Sequence, residues 1–153
     1  MSFDISFRPA NLSKEPSLDD FVKYFAERSH YEYDEEFLEF SYINRNSGAC
    51  FTFIFDGPMS TQICPEPERG VLSFNVSYSG GSAALKQLAV EAAAEMNQVC
   101  SHFDLLYEDR QFSETEGHVP FSERNVLVSL AESGGFADTV IDFVKAQGET
   151  TLF

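Results

Sequence analysis

The chain predicts an α+β domain, a mainly antiparallel sheet of about five strands with three to four helices packed on it. Three observations carry this expectation. Short stretches alternate apolar and polar residues with the period of two expected of half-buried strands. Others place apolar residues three and four apart, as a helix face requires. The strand-like stretches come in groups instead of alternating one for one with helices, which argues against a doubly wound parallel sheet. A length of 153 residues fits a single domain spanning 1–153, and 43% hydrophobic residues with sixteen Phe supply a sizeable core without disulfides or metal. The bias toward Phe, with no Trp, suits strands packed under helices.

Phe3, Ile5 and Phe7 alternate with Asp4, Ser6 and Arg8, and Pro9 closes this first strand. Pro16 and Ser17 open a helix with Ser17 as N-cap and Asp20 in its first turn. Leu18, Phe21, Val22 and Phe25 form its buried face, and it ends near Arg28. Leu38, Phe40 and Tyr42 define a second strand and Phe51, Phe53 and Phe55 a third. Between them, residues 44–48 (Asn, Arg, Asn, Ser, Gly) supply the turn chemistry of a hairpin. Residues 56–70, punctuated by Pro58, Pro65, Pro67 and Gly70, predict a loop. Leu72, Phe74, Val76 and Tyr78 continue the meander.

Ser79, Gly80, Gly81 and Ser82 lead into the longest helix, whose stripe is Leu85, Leu88, Ala89, Ala92, Met96 and Val99. Residues 103–107 predict a last strand and 108–120 a polar loop. Ser122 and Glu123, with Val126, Leu127 and Leu130, predict a helix broken at Gly134 and Gly135. A final helix carries Phe136, Val140, Ile141, Phe143 and Val144 and ends at Gly148.

Charge narrows the partners. Twenty-five acidic residues face ten basic ones, for a net charge of −15, which disfavours nucleic acid and anionic membrane and favours a basic protein. The first 28 residues hold five acids and four bases, whereas the remaining 125 hold twenty and six. Two stretches stand out as candidate acidic patches: Glu32, Asp34, Glu35, Glu36 and Glu39, and Asp104, Glu108, Asp109, Glu114 and Glu116. The N-terminus has no basic start followed by an apolar run, and no stretch approaches the length of a spanning helix, so the expected location is the cytoplasm.

Catalytic and metal motifs are absent, and no cofactor is expected. Cys50, Cys64 and Cys100 are odd in number and form no CxxC pair, which disfavours a disulfide framework or a zinc site. Cys50 and Cys100 read as packing residues. Cys64 lies in a loop where a thiol could pair with His30 or His118, although nothing local would activate it. His30 reads as a helix-end cap, His102 as a residue between helix and strand, and His118 as a solvated loop residue. The turn at residues 79–82 could hold an anion at a helix N-terminus, but it lacks phosphate-loop spacing, and Ser82 as N-cap explains it.

The run Tyr42-Ile43-Asn44-Arg45-Asn46-Ser47-Gly48-Ala49-Cys50-Phe51-Thr52-Phe53, with Leu72-Ser73-Phe74-Asn75-Val76-Ser77-Tyr78 and Leu105-Leu106-Tyr107-Glu108-Asp109-Arg110-Gln111 downstream, resembles small acidic bacterial proteins of the toxin-immunity type. The resemblance spans roughly the central half of the chain and implies a function class without transferring any contact residue. The expectation is a non-enzymatic binding protein that occludes a basic cognate toxin, such as a nuclease domain. Charge places its contacts at Glu32, Asp34, Glu35, Glu36, Glu108 and Asp109, with Tyr31 and Tyr33 as aromatic anchors. Two alternatives stand beside it: a small hydrolase or transferase using Cys64 or a histidine, and an adaptor subunit with an apolar patch to which Leu152 and Phe153 contribute.

Overall fold

The computed structural model describes residues 2–59, 70–77, 82–109 and 117–134. Strands β1 (Ser2–Pro9), β2 (Tyr31–Asp34), β3 (Glu39–Ile43), β4 (Cys50–Phe55), β5 (Leu72–Ser77), β6 (Leu105–Asp109) and β7 (Val119–Pro120) form one sheet in the order β2-β3-β4-β5-β1-β6-β7. Every pairing is antiparallel. Helices α1 (Leu18–Ala26), α2 (Ser82–Phe103) and α3 (Glu123–Gly134), with a single 3-10 turn at Leu12–Lys14, complete the described elements. The α+β class matches the sequence reading, but the sheet has seven strands where about five were expected. The additions are its two ends: β2, hidden in sequence by its carboxylates, and the two-residue β7.

Period-two alternation sorts the sheet into two faces. Phe3, Ile5, Phe7, Phe40, Tyr42, Phe51, Phe53, Phe55, Leu72, Phe74 and Val76 are buried on the inward face. Asp4, Ser6, Ser41, Thr52, Ser73 and Asn75, at the intervening positions, form the polar opposite face. Helix α1 starts where Ser17 and Asp20 cap each other reciprocally: Ser17 N–H donates to Asp20 Oδ2 (2.9 Å) and Asp20 N–H to Ser17 Oγ (3.2 Å). It drops Phe21 and Phe25 onto the inward face, where Phe25 stacks on Phe40 at 4.5 Å and lies 5.3 Å from Phe53. Ring geometry therefore adds to burial in fixing the helix angle. Helix α2 buries the expected stripe and α3 packs beside α2 through Val126, Leu127 and Leu130.

The hairpin β3–β4 forms as expected, with Ile43 opposite Cys50 and Gly48 at φ +80° in its turn. Gly70 is required by close approach: a Cβ there would lie 1.9 Å from Phe7 O. Residues 60–69, which include most of the expected loop and Cys64, lie outside the described residues, as do residues 78–81, 110–116 and the expected final helix with Leu152 and Phe153. Several local expectations are corrected. The polar loop expected from Glu108 does not start there, because β6 runs through Asp109. Cys50 is exposed on β4 instead of packed, whereas Cys100 is buried as expected. His30 does not cap α1, which ends four residues earlier; at φ 74° it turns the chain into β2 and its carbonyl accepts from Ile43 N–H.

Candidate functional site

Among the described residues, the outermost hairpin, β2–β3, carries the densest exposed charge. The register Tyr31↔Tyr42, Glu32↔Ser41, Tyr33↔Phe40 and Asp34↔Glu39 puts Glu32, Asp34 and Glu39 on the polar face and both tyrosines on the helix-facing side. Asp34 Oδ1 accepts from the Glu36 (3.0 Å) and Phe37 (3.3 Å) amides, and this Asx turn holds Glu35 and Glu36 at the tip. The five carboxylates line an open concavity of about 750 Å³. Asp34 and Glu39 stand directly opposite each other, an arrangement of like charges that destabilises a strand pair. Among the described residues the one ion pair in the hairpin is the loose, exposed contact of Glu32 with Arg45 at 4.0 Å. Beside the carboxylates, Tyr33 (38% exposed) and Phe37 (61%) offer apolar surface.

Tyr31 has a different role from the anchor expected of it. Its ring packs 4.7 Å from Phe25, and its hydroxyl donates to Glu95 Oε1 at 3.0 Å. Burial and then the neighbouring carboxylate push its pKa strongly upward, so the phenol stays protonated. Glu95 also takes a bidentate contact from Arg28, with Nη2 at 2.8 Å and Nε at 3.1 Å. One turn earlier on α2, Glu91 accepts from the Tyr42 hydroxyl (2.7 Å) and the Asn44 amide (2.8 Å) on one oxygen and from Gln87 (2.8 Å) on the other. Burial would raise the Glu91 pKa, but hydrogen bonds from Ser47, Tyr42, Gln87 and Asn44 hold it below the usual carboxylate value. Tyr42 is pushed up to about 12 by burial and by Glu91. These two acids tie both strands of the hairpin to α2. Sequence reasoning passed them over, although an i, i+4 acidic pair with no cation three or four residues away on an alanine-rich helix is a usable signal for a tertiary partner.

The described part of the second acidic stretch sits elsewhere: Asp104 is exposed, but the two carboxylates on β6 are not. Glu108 and Asp109, expected as contacts, retain only 8% and 5% of their surface, so neither presents a carboxylate to a partner. Ser6 and Glu108 are cross-strand neighbours. Between them lies His118, whose side chain is 4% exposed, not solvated as expected. Ser6 Oγ is 2.8 Å from His118 Nε2, and Glu108 Oε2 is 3.4 Å from Nδ1. Burial, with Arg8 adding to it, lowers the His118 pKa to about 4. The Glu108 carboxylate opposes this, but its Oε2 makes no hydrogen bond, so burial dominates and the imidazole is neutral at pH 7. The constellation joins residues 112 apart and has no signature in sequence.

His102, at the end of α2, packs its ring 4.7 Å from Tyr24 and 4.6 Å from Phe103. His30 and His118 lie at opposite ends of the sheet. The Cys100 thiol is pushed up by burial. Among the described residues no group of three or more His, Cys, Asp or Glu is arranged to hold a metal ion, and no helix is long and apolar enough to cross a membrane. No protein-family model, no curated protein and no solved structure matches the chain.

Proposed function

We propose that this protein binds a basic protein partner through the β2–β3 hairpin and neutralises it by occlusion, as expected of an immunity protein facing a cationic toxin such as a nuclease domain. The observation that carries the reading is the hairpin itself: Glu32, Asp34, Glu35, Glu36 and Glu39 line one concavity, while like charges oppose each other at Asp34 and Glu39. A fold that keeps such a pair at a stability cost is accounted for when a cation relieves it. The opposite field speeds encounter, and Tyr33 with Phe37 supplies apolar contact for residence. Glu108, Asp109 and Tyr31 drop out of the contact set. Co-purification with the product of the neighbouring gene, first at low salt and then at raised salt, tests the reading. A complex that weakens with salt is expected, and no complex at low salt ends it.

A second reading, hydrolysis of an activated ester, is favoured by the Ser6–His118–Glu108 geometry. It places a hydroxyl, a neutral base and a carboxylate in the order that nucleophilic acyl transfer uses. Here His118 Nε2 takes the Ser6 proton as Oγ adds to the acyl carbon. The leaving group departs with that proton, and water then releases the acid and restores Ser6. Incubation with a fluorophosphonate, followed by peptide mass analysis, should find the adduct on Ser6 and lose it in His118→Asn. An unlabelled Ser6 in the native chain excludes the reading.

A further inference from the structure

We infer that the outer edge of β2 receives an extended, basic segment of the partner as an added strand. This inference rests on the binding reading above and specifies the chemistry of what is bound.

The backbone decides which groups face outward. Ile43 N–H donates to His30 O at 2.8 Å, and residues 30 and 43 share the register that pairs Glu32 with Ser41 and Asp34 with Glu39. In an antiparallel ladder, hydrogen-bonded pairs alternate with pairs that make no mutual bonds. The amides and carbonyls of Glu32 and Asp34 are therefore committed to β3, and those of Tyr31 and Tyr33 point away from it. Strand β2 ends the sheet, so this edge offers two donors and two acceptors with no backbone partner among the described residues. The open tight ring contacts Tyr33–Phe40 (4.9 Å) and Tyr31–Tyr42 (5.3 Å) fit the close Cα spacing of non-bonded pairs.

The side chains then select the occupant. A strand laid along this edge places alternate residues beside Glu32 and Asp34 on the polar face and the intervening ones beside the exposed Tyr33 ring on the other. Lysine or arginine answers the first set, and an apolar side chain or a stacked guanidinium the second. A second copy of this chain is a poor occupant, because pairing β2 with β2 would bring its acidic hairpin against this one. The carboxylates thus block self-association and anionic segments while leaving the edge open to a cationic one.

The test uses the full chain and two probes: an eight-residue peptide of alternating Lys and Val, and the same peptide methylated at every backbone nitrogen. The second keeps the charge and loses the ability to pair. The unmodified peptide should bind about tenfold or more tightly than the methylated one and slow amide exchange at Tyr31 and Tyr33. Exchange at Glu32 and Asp34, already bonded to β3, should change little. Tyr33→Pro removes one outward donor together with the ring, whereas Tyr33→Ala removes the ring alone, so Tyr33→Pro should bind the unmodified peptide about tenfold more weakly than Tyr33→Ala does. Equal binding of both peptides, or binding by Tyr33→Pro as tight as by Tyr33→Ala, overturns strand addition and leaves the acidic grip standing. Binding of neither peptide removes the reading beneath it as well. Protection of the same two amides in the protein alone, rising with concentration, assigns the edge to a second copy and overturns the inference.

Discussion

The two acidic stretches look interchangeable in sequence, and their described residues occupy opposite ends of the sheet in the fold. Strands β3, β4, β5 and β1 separate β2 from β6, a distance of about 24 Å at the usual strand spacing. At the β2 end Glu32, Asp34, Glu35 and Glu36 stand in solvent, with Asp34 face to face with the half-buried Glu39. At the β6 end Glu108 and Asp109 are buried, one of them against an imidazole. The difference teaches that net charge measures how many carboxylates a chain has and not how many it can present. The hairpin holds charge available to a partner, whereas the β6 end holds charge bound into the fold.

The contrast can be strained hardest through pH. The His118 pKa is about 4 in the fold and about 6.5 in an unfolded chain. Between those values the unfolded chain takes up a proton that the folded one refuses. The contribution of His118 to stability is therefore intact above about pH 6.5 and lost as pH falls toward 4, by up to roughly 3 kcal/mol. Urea unfolding of the native chain and of His118→Asn should diverge through this window, and parallel curves would mean that the β6 end is solvated after all. Next in size, Glu108→Ala should destabilise the protein by about 2 kcal/mol, while Glu35→Ala and Glu36→Ala stay within about 0.5 kcal/mol. Equal losses at both ends would erase the distinction.

At the hairpin, the triple change Glu32→Gln, Asp34→Asn and Glu39→Gln should weaken binding to a basic partner about tenfold, mainly through a slower association rate seen in stopped-flow mixing. The smallest effect has the opposite sign. Glu39→Gln removes the like-charge pair and should stabilise the fold by about 0.5 kcal/mol in the same urea assay.

What could be read in the sequence follows from how local its cause is. The β3–β4 hairpin, the Ser17–Asp20 cap and the α2 stripe depend on neighbours a few residues apart, and the structure places them as expected. Strand β2 was equally local, since Tyr31 and Tyr33 alternate with Glu32 and Asp34. It was missed because an edge strand solvated on one face carries charge where a core strand carries apolar residues. The extent of β6 is hidden for a different reason: Glu108 and Asp109 have the composition of a loop, but they are buried and paired to β1, an inner strand from a distant part of the chain. The meeting of Ser6, Glu108 and His118 depends on strands brought together from distant parts of the chain. So does the choice of Glu91 and Glu95 as supports for Tyr42, Asn44 and Tyr31.

That last feature governs how the hairpin would meet another molecule. Glu91 and Glu95 project from one rigid helix and hold both of its strands at hydroxyl, amide and guanidinium positions. If the hairpin receives a partner strand as proposed, its shape exists before anything arrives, and the loss of chain freedom on association falls on the incoming segment. Encounter then resembles closing on a fixed jaw, with a rate governed by diffusion and ionic strength instead of rearrangement within the receiving protein.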